Sequence, residues 1–188
     1  MRDFDERNRS LFFIALIPGE QLRKEIKEIK ESMRDEYGAS HALKSPAHIT
    51  MQMPFKWSPA QEAEISSILM RFAAGEKPFK VELDGYGAFP PRVIYLKVTN
   101  PQPIIELHRR LKGLLADTPG FIREEVMQQV QPHITVATRD LTREAFSEAW
   151  PEMRNREFTA SFTVYSIFLL KHNGRHWDIL LECPFKKR

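Results

Sequence analysis

Hydrophobic positions change their period along the chain, and those changes mark out its elements. Residues 11–17 form a continuous apolar run stopped by Pro18-Gly19, the pattern of a buried strand ending in a turn. From Glu20 to about Glu36, Leu22, Ile26, Ile29 and Met33 recur at helical spacing among Lys and Glu, so the charges read as the solvated face of an amphipathic helix. A loop over residues 37–45 delivers a short strand at 46–51. Ser58 as N-cap, Pro59 in the first turn and Ile65, Ile68, Leu69 and Phe72 behind them predict a second helix, ended by Gly75. Residues 79–89 and 93–98, joined through Pro90-Pro91, predict a hairpin. Asn100 and Pro101 open a third helix with Ile104, Ile105, Leu107, Leu111, Leu114 and Leu115 on its apolar side. Residues 118–129 fit neither period. A second short strand at 132–136, a polar helix near 142–153 and a hairpin of 158–170 with 177–183 complete the chain, with His172-Asn173-Gly174-Arg175 at the last tip.

The two short strands carry nearly the same words. Pro46-Ala47-His48-Ile49-Thr50-Met51 and Gln131-Pro132-His133-Ile134-Thr135-Val136 are both proline-led entries into His-Ile-Thr, 85 residues apart (133 − 48). Around them the halves follow one plan of apolar strand, helix, His-Ile-Thr strand, helix and hairpin; Phe79 and Phe158, like Tyr86 and Tyr165, are 79 residues apart (158 − 79 and 165 − 86). This is a twofold internal repeat, and it predicts an α+β fold: a bilobal duplicated unit, two antiparallel sheets lining a central groove, helices packed outside. Approximate twofold symmetry would set the two equivalent strands across one cleft.

Composition narrows the setting. The chain has 188 residues, a net charge of +3 and a pI near 9.0, a mild tilt toward anionic ligands. One cysteine, Cys183, allows no intrachain disulfide and fits a reducing compartment. The charged start, residues 1–9, lacks the apolar centre of a signal peptide and is expected to be flexible, with residues 10–188 forming a single bilobal domain. No apolar run reaches membrane-spanning length. A cytoplasmic monomer without membrane attachment is expected.

In a strand, His and the Thr two positions on share a face while the Ile between them turns away. Each copy therefore pairs an imidazole, able to give or take a proton near neutral pH, with a hydroxyl donor. Two such pairs in one cleft supply what metal-free cleavage of a phosphodiester requires: a base for the incoming oxygen, an acid for the departing one, and donors for the oxygens on phosphorus. The residues alone leave open which His is base and which acid. Two other readings compete, an RNA-binding module with a vestigial site and a zinc site; the latter lacks His-x-x-x-His spacing and a carboxylate cluster. Lys56, Arg92, Arg139, Lys171 and Arg175 offer positive charge, and Phe55, Trp57 and Trp177 offer rings for base stacking. His41, His108, His172 and His176 lie outside the motif and read as structural or exposed, and Cys183 as a small buried residue.

The paired motifs, the opening Phe12-Phe13-Ile14-Ala15-Leu16-Ile17-Pro18, the hairpin Gly87-Ala88-Phe89-Pro90-Pro91-Arg92 and the stretch from Gly174 to Trp177 together resemble the 2H phosphoesterase superfamily, in particular its 2′-5′ RNA ligase-like and cyclic phosphodiesterase branch. The resemblance implies metal-independent phosphodiesterase or reversible ligation chemistry on RNA ends or small cyclic nucleotide phosphates, with no cofactor. It implies His48, Thr50, His133 and Thr135 as the catalytic set; from the charges and rings around this core, Phe55, Arg92, Arg139 and Trp177 are expected as substrate contacts. The chain departs from the family pattern in two places. Thr138 stands where many members of the branch carry an Arg, with Arg139 one residue later and on the opposite face from Thr138 if the strand stays regular; Gln52-Met53-Pro54-Phe55 replaces the usual leucine-rich strand ending in glycine.

Overall fold

A computed structural model describes residues 9–121 and 123–186; the first eight residues, with which the flexible start was expected, lie outside the described residues. Eight strands and four helices are described: β1 (Ser10–Leu16), α1 (Glu20–Tyr37), β2 (Ile49–Trp57), α2 (Glu62–Ala73), β3 (Phe79–Phe89), β4 (Val93–Val98), α3 (Gln102–Ala116), β5 (His133–Ala137), α4 (Arg143–Met153), β6 (Thr159–Val164), β7 (Ser166–His172) and β8 (Trp177–Pro184). The strands form two four-stranded antiparallel sheets, ordered β2-β1-β7-β8 and β5-β4-β3-β6. No described helix is long and apolar enough to cross a membrane.

The sheets explain the continuous apolar run at the start. Phe12, Ile14 and Leu16 enter the main core, while Phe13, Ala15 and Ile17, on the other face, pack with Leu170, Phe168 and Trp177. A strand covered on both faces has no solvent side to be polar. The duplication is visible in register: Ala15 and Leu16 of β1 stand opposite Thr50 and Ile49, as Tyr95 and Leu96 of β4 stand opposite Thr135 and Ile134. The units β1-α1-β2 and β4-α3-β5 thus place their His-Ile-Thr segments identically, each on an edge strand of its sheet.

Several local expectations change. Residues 158–170 do not run as one strand; the chain breaks at Tyr165, β6 joining the second sheet beside β3 and β7 the first between β1 and β8. Each sheet is thereby completed by chain from the other half. Phe79 lies opposite Val164 and the Gly85 N–H donates to the Phe158 carbonyl, so the 79-residue offset joins neighbours in one sheet instead of symmetry mates. A short 3₁₀ turn, Pro59–Gln61, precedes α2, and the Ser58 hydroxyl donates to the Gln61 side chain instead of capping the helix. Ile105 faces outward at 38% exposure, because α3 buries the narrower stripe of Ile104, Leu107, Leu111 and Leu115. In α1 the polar face is not wholly solvated. Lys30 continues the stripe of Ile26 and Met33 and is buried, its ammonium donating to the carbonyls of Ala42 (2.9 Å) and Ser45 (3.1 Å).

Candidate active site

Both motif strands lie at sheet edges, and β2 and β5 approach one another across the groove between the lobes. Ile49 and Ile134 anchor them, each fully buried. The period of two then leaves Thr50 and Thr135 half-buried on the open face. A cavity of about 250 Å³ between the lobes is lined by His48, Thr50, Thr135, Thr138, Arg139 and Trp177. His133 is not part of this lining, but it lies near enough to His48 that a positive charge on its ring would disfavour protonation of His48.

The two imidazoles are held alike. Nδ1 of His48 lies 2.8 Å from the Pro46 carbonyl and Nδ1 of His133 lies 2.6 Å from the Gln131 carbonyl, in each case the residue two positions earlier. A carbonyl oxygen only accepts, so Nδ1 carries the proton in both rings and Nε2 is the nitrogen left to exchange one. Aromatic neighbours fix the ring planes: Phe13 at 4.8 Å from His48, with Trp177 edge-on behind it at 4.7 Å, and Tyr95 at 4.9 Å and Phe89 at 5.2 Å from His133. Tyr95 reaches this place because its cross-strand partner is Gly87, where a Cβ would stand 2.5 Å from the tyrosine ring.

Burial disfavours the charged form of both rings. It lowers the His48 pKa to about 4, with the charges of Lys30 and His133 adding to the effect and the Pro46 hydrogen bond opposing it. His133 is lowered by burial against its bond to Gln131. Both are therefore neutral at pH 7 in the empty site, and a bound phosphate, by its negative charge, draws protons back toward them.

Of the residues expected to meet substrate, Arg139 and Trp177 line the cleft. β5 ends at Ala137 and Arg139 adopts φ 54°, so the strand alternation no longer governs its direction, and Thr138 and Arg139 both face the cavity. Phe55 does not reach it: at 2% exposure it is packed with Phe12, Trp57 and Phe121, which corrects the stacking role expected of Phe55 and Trp57. Arg92 is also elsewhere, exposed at the β3–β4 turn beside a surface recess that it shares with Arg139 and Asp140. Lys171 is paired with Glu62 at 2.6 Å. Cys183 is buried, which pushes its thiol up to about 11.

Other residues of the site had no motif to announce them. His41, read as structural or exposed, lines the cleft, its pKa lowered by burial and by the nearby Arg139 and Lys44. One oxygen of Asp140 accepts from the Ser40 N–H, the Ser40 hydroxyl and the His41 N–H at 2.8 to 3.0 Å, tying the loop before β2 to the end of β5. Gln52, 1% exposed, forms a second tie: its amide donates to the Met53 and Glu125 carbonyls and its carbonyl accepts from the Met127 N–H. Gln52 thereby holds the segment leading to His133. Among the described residues no three His, Cys, Asp or Glu side chains converge as a metal site.

Comparison with known proteins agrees with this architecture. Residues 18–176 match the model of the 2′-5′ RNA ligase superfamily. A Bacillus pumilus (strain SAFR-032) protein provisionally named a phosphoesterase is 28% identical over 170 residues, covering 80% of this chain and 94% of its own. An RNA 2′,3′-cyclic phosphodiesterase of Archaeoglobus fulgidus is 26% identical over 162 residues, 78% of this chain and 86% of its own. The crystal structure of E. coli LigT complexed with 3′-AMP superposes with a TM-score of 0.67 at 19% identity, covering 95% of this chain and 99% of LigT, and so shares the fold. With the family model spanning most of its length over a duplicated, two-sheet scaffold, the chain belongs to the 2′-5′ RNA ligase superfamily of 2H phosphoesterases.

Proposed function

We propose that the protein is a metal-independent phosphodiesterase acting on RNA-type 2′,3′-cyclic phosphates or 2′-5′ linkages. The observation that carries the reading is the matched pair of imidazoles, each with Nδ1 fixed on the carbonyl two residues back and Nε2 left to exchange protons, with His48, Thr50 and Thr135 lining one cleft and His133 near enough to His48 to act on it electrostatically. The Archaeoglobus relative, named for 2′,3′-cyclic phosphate hydrolysis, supports the choice of substrate class. The single thiol supports a reducing, cytoplasmic setting.

In the hydrolytic direction a water oxygen attacks phosphorus and gives its proton to Nε2 of His48. The bond from phosphorus to one ribose oxygen breaks, that oxygen takes a proton from Nε2–H of His133, and a phosphomonoester leaves. His48 is assigned as base because burial, Lys30 and His133 all disfavour its charged form and leave the ring free to accept a proton. Thr50 and Thr135 donate to the non-bridging oxygens, and Arg139 adds positive charge at the same phosphate. With a ribose hydroxyl in place of water, the same two rings run ligation or its reversal.

The test is incubation of the purified protein, with chelator present, with 2′,3′-cyclic nucleotides and with 2′-5′- and 3′-5′-linked oligonucleotides, followed by product analysis. Turnover that survives chelation and falls at least ~10²-fold in His48→Ala and in His133→Ala is expected. Turnover that chelator abolishes and added metal restores, or that neither substitution alters, rejects the proposal.

A further inference from the structure

A second cavity, of about 350 Å³, adjoins the cleft and shares Lys44, Ser45 and Trp177 with it. It lies between the first turns of α1, the loop before β2 and the start of β8. Arg23, Lys24, Lys27, Lys30 and Lys44 line it, against Glu20 as the one carboxylate of that lining. The excess of like charge in a concave, partly enclosed space repels itself and focuses positive potential.

Two side chains show that this is more than a solvated helix face. Nε of Arg23 is buried and, among the described residues, has no hydrogen-bond partner. The Lys30 ammonium, fixed by two loop carbonyls, forms part of the wall, and its burial lowers its pKa to about 8. Lys27 pairs with the exposed Glu31 at 3.5 Å, a pairing easily exchanged. Trp177 stands on the boundary between the two cavities.

We propose that this cavity is a second phosphate subsite, taking a backbone phosphate of an RNA strand whose terminal phosphodiester occupies the cleft. The inference rests on the phosphodiesterase reading of the cleft and sharpens it. The substrate is an oligonucleotide end, and a cyclic mononucleotide fills only half of the binding surface. Lys24 and Lys27 meet the strand phosphate as point charges, the Arg23 guanidinium donates to it, and Trp177 separates the two phosphate positions.

The experiment measures binding apart from turnover. A fluorescent RNA hexamer with a 3′-terminal phosphate and the matching mononucleotide phosphate are titrated against wild type, Arg23→Gln and Lys24→Gln/Lys27→Gln over a range of salt concentrations. The double variant alters only helix-surface lysines and so guards against misfolding of the Arg23 variant. Expected is a loss of about tenfold or more in hexamer affinity, with the salt slope smaller by ~0.7 for each lost phosphate contact, and mononucleotide affinity held within about twofold. Equal losses for both probes, unchanged hexamer affinity in both variants, or no hexamer binding by wild type overturns the subsite. Turnover of a cyclic mononucleotide, measured alongside, separates the two claims: its absence counts against the phosphodiesterase reading, whereas discrimination between probes speaks to the subsite alone.

Discussion

Gln52→Leu tests whether the approach to His133 is held from the opposite lobe. Leucine nearly matches glutamine in volume, so the change removes polar atoms without opening a large hole. Three hydrogen bonds go: to the Met53 carbonyl (3.0 Å), to the Glu125 carbonyl (2.9 Å) and from the Met127 N–H (2.9 Å). At ~0.5–1.5 kcal/mol each, the net loss is roughly 1.5–4.5 kcal/mol, and the upper half applies if the Met127 N–H, which is only half-buried, finds no water. For a chain of 188 residues, about 3 kcal/mol lowers Tm by roughly 6–12 °C. Urea unfolding gives the free energy and limited proteolysis shows where the chain loosens. Cleavage between residues 118 and 130 should accelerate more than elsewhere, and kcat should fall while wild-type-like sheets persist. A stability loss under ~0.5 kcal/mol, with unchanged proteolysis, would refute the tie.

Three further outcomes follow from the geometry. Because burial depresses the His48 pKa from 6.5 to about 4, the unfolded chain binds this proton more readily, so stability is lost as pH falls from 6.5 and the loss is complete below 4, reaching about 3 kcal/mol. His48→Asn should flatten that part of the stability–pH curve, and an unchanged slope would contradict the burial argument. Gly87→Ala should cost ~1–3 kcal/mol and reduce kcat by displacing the Tyr95 ring toward His133, measured by thermal unfolding and steady-state kinetics; full activity would show that the ring is free to move. Phe55→Ala should cost ~3–5 kcal/mol of stability with KM little changed in the folded fraction, whereas Trp177→Ala should raise KM with the smaller stability loss.

The sequence was most legible where a period repeats. His48 and His133 could be paired before any coordinates because the same three residues, led by proline, recur in equivalent places, and β1 to β5 follow from apolar spacing. Phe55 was misplaced although the signal was available. It shares strand parity with Ile49 and Met51, and the two register shifts between β1 and β2 each add one residue to β2, leaving that parity intact. Lys30 belonged by spacing to the Ile26–Met33 stripe; only the loop carbonyls folded over it explain why a charge sits there. The break at Tyr165, 64% exposed, could not be read because the chain is apolar on both sides of it, and what separates β6 from β7 is which sheet each completes. The ties through Asp140 and Gln52 join residues 73 to 100 positions apart and leave no local pattern.

The most direct measurement of the central claim is the pH dependence of kcat/KM on a 2′,3′-cyclic phosphate, in chelator, for wild type and both histidine variants. The free enzyme's two lowered pKa values predict a bell with its maximum below pH 6.5: an acid limb near 4, where His48 must lose its proton to act as base, and an alkaline limb, where His133 must keep its proton to act as acid. His48→Ala should remove the first limb from the residual activity and His133→Ala the second. A profile flat from acid to alkaline pH, or one whose limbs survive both substitutions, would contradict paired proton transfer by these two rings.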